Sequence, residues 1–359
     1  MKKNIFIILF FLFTSTYSFS QGCIPIRSIT GFGQYNFTDN AYSTSEWQLN
    51  FTNRYFKSFR DFSDKNDLHT PPENESVNKI YTLDISIDKL FKNGWSLAAE
   101  FPITAAQRTS SIEHGGFNTP RHTTHAFGMG DLRVTAYKWL LLPLPNQKFN
   151  IQLGIGLKFP TGDYKVQDYF YRNDTTKVLS AVNPSIQLGD GGTGIITDFN
   201  TFYVINKTVS LYGDFYYLIN PKNQNGTLYD FGKDPTPLQL QANAVNTSVP
   251  DFFSLHAGVN FNMKNLSLSA AIRDEGSPVH DLIGESDGAR RAGHYFSVEP
   301  GIVYKMKRTT LFGYVPIFIA RNLKQTVPDK NITKITGVYK PSPGGSANYM
   351  IIAGISFKL

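Results

Sequence analysis

What most constrains this chain is a period of two that returns, segment after segment, for about ten residues at a time. Trp47, Leu49, Phe51 and Tyr55 alternate with Glu46, Gln48, Asn50, Thr52 and Arg54. Tyr81, Leu83, Ile85 and Ile87 alternate with Thr82, Asp84, Ser86 and Asp88, and residues 95–103, 151–159, 253–261 and 349–359 repeat the pattern. Successive side chains of a strand point to opposite faces, so each segment reads as a β-strand with one apolar and one polar face. Weaker alternation occupies 132–140, 195–205, 209–219, 266–273, 296–304 and 311–320. The whole predicts an all-β chain of about twelve strands. No segment sustains a 3.6-residue period between caps, so no helix is expected past the extreme N-terminus.

The connections alternate in length. Short ones fall at 90–94, 141–149, 206–208, 262–265 and 305–308; long ones at 59–78, 105–130, 161–185, 220–250, 274–294 and 321–347. This rhythm predicts an up-and-down antiparallel transmembrane β-barrel with short periplasmic turns, long extracellular loops and both termini on the periplasmic side. A secreted pair of sandwiches would also alternate, but it does not require its long loops on one side. Outside the N-terminus no apolar run approaches the roughly 20 residues of a spanning helix. In a barrel the polar face lines a lumen and tolerates charge. On this phasing it carries Glu46, Asp84, Asp88, Glu100, Asp131, Asp198, Asp214 and Glu299 with Arg54, Arg133, Lys158 and Arg273, while the other face is almost free of ionised groups. Trp47, Tyr55, Trp95, Tyr217, Tyr304 and Tyr349 fall near strand ends, where interfacial aromatic girdles sit.

Location follows from the ends. Lys2 and Lys3, the apolar run 5–13 and small residues at Ser18 and Ser20 have the form of a secretory signal over residues 1–20. Ser20 stands three before Cys23, where a lipoprotein signal wants an aliphatic residue, which favours a plain thiol over a lipid anchor. Residues 21–45 are expected to form a plug, a tether or an extra strand, and 46–359 the barrel. The ending Ile355-Ser356-Phe357-Lys358-Leu359 resembles the terminal strand read by the outer-membrane assembly machinery. The expected home is the outer membrane of a Gram-negative bacterium, with lipid, small solutes and that machinery as partners. The single cysteine excludes an internal disulfide framework and a Cys-rich zinc site. Without residues 1–20 the net charge is +5, but the cations scatter into turns (Lys92, Lys148, Lys207, Lys264, Lys305, Lys307 and Arg308), so nucleic acid is not an expected partner.

Four short motifs carry a resemblance. Gly156-Leu157-Lys158-Phe159-Pro160-Thr161-Gly162-Asp163-Tyr164 closes a strand into a long loop, and Gly128-Met129-Gly130-Asp131-Leu132-Arg133 opens one. Gly189-Asp190-Gly191-Gly192-Thr193-Gly194 and Leu211-Tyr212-Gly213-Asp214-Phe215-Tyr216-Tyr217 follow in the same order. Together, over roughly residues 47–226, they resemble outer-membrane barrels grouped as transporters of the phenol meta-pathway degradation type. The resemblance implies a channel for small, hydrophobic or aromatic compounds; it carries over no ligand residue.

The residues therefore predict an outer-membrane channel for passive passage of small solutes, not an enzyme, with no cofactor and no metal. Its expected pore lining is Arg54, Asp84, Glu100, Arg133, Lys158, Asp198, Asp214 and Arg273. The competing expectation is a non-conducting barrel serving as receptor or adhesin through its loops. A third is an outer-membrane phospholipase using Ser254 and His256, but residues two apart on one strand face stand about 7 Å apart, too far for a nucleophile and its base. Gly189, Gly191 and Gly194 match a dinucleotide fingerprint, yet a strand rather than a helix follows them. His114, His122 and His125 share a loop with Glu113, as Asp163, Asp168 and Asp174 share the next, but neither set has metal-site spacing.

Overall fold

The computed structural model describes residues 46–142 and 147–359. The expected signal segment, residues 21–45 and Cys23 lie outside them. The strands are β1 (Trp47–Ser63), β2 (Asn66–Asp67), β3 (Val77–Leu90), β4 (Trp95–Ser110), β5 (His122–Met129), β6 (Leu132–Trp139), β7 (Phe149–Phe159), β8 (Gln167–Tyr171), β9 (Lys177–Ala181) and β10 (Gly194–Val204). After them come β11 (Val209–Ile219), β12 (Gln224–Leu228), β13 (Asn246–Ser248), β14 (Phe252–Met263), β15 (Leu266–Ser277), β16 (Ala292–Lys305), β17 (Thr309–Tyr314), β18 (Ile317–Lys324) and β19 (Gly344–Lys358).

Twelve staves close into one antiparallel barrel. β5 and β6 are one stave interrupted at Gly130, and β17 and β18 another, interrupted where Pro316 has no N–H to give the ladder. The seam pairs β1 with β19, from Gln48 opposite Lys358 to Phe62 opposite Gly344. All twelve alternating segments of the sequence are staves. The short turns gather at one end and the long connections at the other, as the lengths predicted.

Burial follows the alternation with the inside polar. On β1, Gln48, Asn50, Thr52 and Arg54 are buried, whereas Trp47 and Tyr55 on the opposite face are 48% and 38% exposed. The outer face is a continuous apolar sheath that includes Leu153, Ile155, Leu157, Phe215 and Ile272, all exposed. Such a surface suits lipid, not water. At the short-turn end Lys89 Nζ lies 4.7 Å from the Trp47 ring centroid and Lys138 Nζ 5.3 Å from that of Trp95. Long stems let these lysines cover apolar surface while the ammonium reaches the interface over an aromatic face.

Inward glycines make room for inward rings. Tyr137 faces Gly154, Tyr212 faces Gly258, Tyr314 faces Gly301 and Phe312 faces Gly354, each as a direct cross-strand pair. A Cβ on any of these glycines would fall within 2.2–2.6 Å of the partner side chain. Each ring thus lies over a position where only hydrogen fits.

The structure corrects the loops. Several staves outrun the 9–11 residues needed to span a bilayer: β1 has 17 and β4 has 16, so the wall continues into what the pattern assigned to loops 59–78 and 105–130. The long connections also hold two hairpins, β8–β9 and β12–β13, and two helices, α1 (Pro237–Gln241) and α2 (Val327–Thr336), where none was expected. α2 is closed at both ends: Thr326 and Asp329 form a capping box, and Gly337 adopts φ 71° beyond the last turn.

Candidate functional site: the lumen and its plug

The eight expected lining residues sit on the inner face, low in exposure, and mostly in charge pairs. Arg54 Nε donates to Asp84 Oδ2 at 2.7 Å, and Arg133 Nη1 lies 3.8 Å from Glu100 Oε2. Lys158 contacts Asp190 closely and lies 3.9 Å from Asp131. Tyr137 donates its hydroxyl to Asp198 at 3.1 Å. Arg273 pairs with Glu275 and, through Nη1 at 3.1 Å, with Glu299. Register brings these partners together: Glu100 opposes Arg133 and Arg133 opposes Lys158 on consecutive staves. Burying a charge is tolerable only when it is paired and hydrogen-bonded, and this wall meets that condition mostly with pairs between staves.

Asp214 Oδ1 is 2.6 Å from His256 Nδ1, which orients the imidazole as an enzyme's base would be oriented. Ser254, two residues away, is buried, but its Oγ and His256 Nε2 are both without a hydrogen-bond partner. Nucleophile and base are therefore not joined, as the strand rise implied. The histidine loop is likewise not gathered as a trio. His114 and His122 lie 5.2 Å apart between ring centroids, whereas His125 sits 3.5 Å from Asp168 on the exposed side. Among the described residues no group of three or more His, Cys, Asp or Glu side chains is placed to hold a metal ion.

A loop folds inward as a plug, and the sequence did not say which. After β9 the chain turns into the barrel mouth, and Val182, Ile186 and Leu188 pack against Phe56, Ile80, Ala106, Ala126, Ala347 and Met350. These wall residues are apolar on the otherwise polar inner face. Asn183 Nδ2 donates to Glu113 Oε1 at 2.7 Å at one end of the plug; Asp190 meets Lys158 at the other. Between plug and wall lies a cavity of about 70 Å³ lined by Arg133, Lys158, Tyr216, Leu218, Phe252 and Gln187.

Three of the motifs singled out in the sequence meet at the plug's foot. Leu132 N donates to Thr161 Oγ1 at 2.8 Å, and Thr161 Oγ1 donates to Gly130 O at 3.0 Å. Asp131 Oδ1 accepts from Gly162 N at 3.0 Å, and its Oδ2 from Asp190 N at 3.3 Å. A Cβ on Gly189 would come within 2.5 Å of Gly162 O. The Gly189–Gly194 run thus serves close backbone packing, and β10 begins at its last glycine.

An outer-membrane channel of the COG4313 group from Pseudomonas putida F1 aligns over 89% of this chain and 99% of its own, at a TM-score of 0.56 and 10% identity. The translocator domain of the autotransporter NalP from Neisseria meningitidis aligns over 87% of this chain and 88% of its own, at 0.45 and 9%. A mutant of the monoaromatic hydrocarbon channel TodX aligns over 90% and 92%, at 0.43 and 8%. No protein-family model and no curated protein matches the sequence. The fold is that of an outer-membrane β-barrel. At such low identity the likeness shows the barrel and nothing narrower.

Proposed function

We propose that the chain is an outer-membrane channel of a Gram-negative bacterium for the passive passage of small, largely apolar solutes, and that Arg54, Asp84, Glu100, Arg133, Lys158, Asp198, Asp214 and Arg273 line its path. The observation that carries this reading is a closed barrel whose inner wall is charged while, among the described residues, the segment after β9 stoppers its mouth on an apolar seat. A polar, charged inner wall behind an apolar outer sheath is the arrangement of the water-filled membrane barrels. Once the plug leaves it, the apolar seat beside that wall gives an amphipathic solute a first foothold, and the charges then set what crosses. The cavity joins both characters, with Leu218 and Phe252 beside Arg133 and Lys158.

The test is conductance of the mature protein in planar bilayers, with solute flux into proteoliposomes. Discrete conductance steps and faster entry of small aromatics than of sugars are expected. Neither conductance nor flux under any condition would overturn the channel reading. The seated plug then favours a second reading, a surface receptor with a closed lumen, for which ligand binding to intact cells lost after protease trimming of the loops is the expected result.

A further inference from the structure

Residues 111–116, between β4 and β5, hold two things at once. Tyr171 N, on the β8–β9 hairpin, donates to His114 Nδ1 at 2.9 Å, and Arg172 Nη1 donates to the carbonyls of Glu113 and His114 at 3.1 Å each. Phe170, fully buried, stacks on His114, and Tyr171 stacks on His122 at 4.2 Å between centroids. The same loop grips the plug: Glu113 Oε1 accepts from Asn183 at 2.7 Å and from Arg108 Nε at 2.7 Å, and Arg108 also reaches Asn78 on β3 at 2.8 Å. β9 runs directly into the plug, so hairpin and plug are one continuous arm clasped by one loop.

We propose that this loop is an acid-released latch: protonation of His114 undocks the β8–β9 hairpin and, with it, the plug segment 182–188. The chemistry is local. Because Nδ1 accepts a backbone N–H, the docked imidazole is neutral and carries its proton on Nε2. A second proton must go onto Nδ1, where it meets the N–H of Tyr171 donor to donor, and the ring is 1% exposed. The groups facing His114 are Glu113 on its own loop, His122 on β5, Asp168 on β8 and Arg172 beyond it. The first carboxylate is engaged by Arg108 and Asn183, and the second by the backbone of His125. Burial first, then the nearby His122, holds the His114 pKa down to about 4 from 6.5. Once released the ring regains its ordinary affinity for protons. The docked-to-released ratio therefore falls on the order of twentyfold between pH 7 and pH 5.

This release matters to transport only if the channel reading holds, so the test reads the arm by itself. In a Cys23→Ser background, the buried Val182→Cys thiol is labelled with a charged methanethiosulfonate, and its rate is divided by that of an exposed Val338→Cys reference to cancel the reagent's pH dependence. The ratio should rise on the order of twentyfold from pH 7 to pH 5. His114→Asn keeps an acceptor near the Nδ1 position without a titrating ring, and should leave the ratio low and flat. A flat ratio with His114 present, or an equal rise with His114→Asn, overturns the latch. Labelling that rises without conductance at any pH keeps the latch and removes the channel; conductance with flat labelling does the reverse.

Discussion

Tyr212 lies flat across Gly258, its direct partner on the β11–β14 ladder, so closely that a Cβ on the glycine would fall 2.5 Å from the phenol Cζ. The ring cannot retreat freely, since Trp139, Phe202 and Ala271 pack around it. Gly258→Ala should therefore destabilise the barrel by about 1–3 kcal/mol, the usual cost of overfilling a packed site. Gly213→Ala is the control, because its Cβ would meet nothing nearer than 3.5 Å. Urea midpoints in detergent, read from the heat-modifiable gel mobility of the folded barrel, should separate the two; equal midpoints would refute the packing account.

Arg273 balances two buried carboxylates, Glu275 and Glu299. Arg273→Met leaves both without their cation and should cost about 3–5 kcal/mol. Adding Glu275→Gln and Glu299→Gln should restore most of that loss, because the cost lies in uncompensated charge rather than in a missing contact. Midpoints that fail to recover in the triple variant would argue for a packing role instead.

Most of the barrel could be read in the chain because an apolar outer face and a polar inner face impose a period of two on every stave, and the short and long connections then alternate between its two ends. Cross-stave partnerships could not be read. Arg54 and Asp84 are far apart in sequence, and only register makes them neighbours. The plug left a fainter trace: Val182, Ile186 and Leu188 are apolar residues between β9 and β10 that belong to no alternating segment. Its foot was visible as Lys158–Gly162, Gly128–Arg133 and Gly189–Gly194, but nothing in their order says that they touch. Thr326, Asp329 and Gly337 mark the ends of α2, but fewer than three turns on a polar loop show little apolar periodicity.

Ser254→Ala tests whether Asp214 and His256 serve chemistry. The serine hydroxyl has no hydrogen-bond partner, so its loss should change stability by less than about 1 kcal/mol and leave any conductance as it was. Phospholipid vesicles containing either protein should release no lysophospholipid above background. Hydrolysis that disappears with the substitution would revive the enzyme reading.

His114 also predicts a pH dependence of stability. Its folded pKa, about 4, lies below the ordinary 6.5, because burial and then the proximity of His122 oppose the charged form. Between these values the unfolded chain binds more protons than the folded one, so the contribution is complete above about pH 6.5 and is lost as pH falls toward 4. The difference in urea midpoint between the wild-type protein and His114→Asn should thus shift against the wild type across that window. A difference that stays constant from pH 7 to pH 4 would contradict the buried neutral imidazole.

The plug's seat makes the last prediction. Val182, Ile186 and Leu188 are almost wholly buried against inward apolar residues of the wall. Each such side chain contributes about 1.5–3 kcal/mol by leaving water. Replacing all three with serine removes most of what holds the segment in the mouth while leaving the staves and their ladders untouched. Mean single-channel conductance at pH 7 should rise several-fold, and its pH dependence should flatten, since an arm already released has nothing left for acid to free. If conductance is unchanged while labelling of a Ser185→Cys thiol shows the segment to be out, the path is set lower in the barrel, at the Arg54–Asp84 and Arg273–Glu299 pairs, and the plug is not its gate.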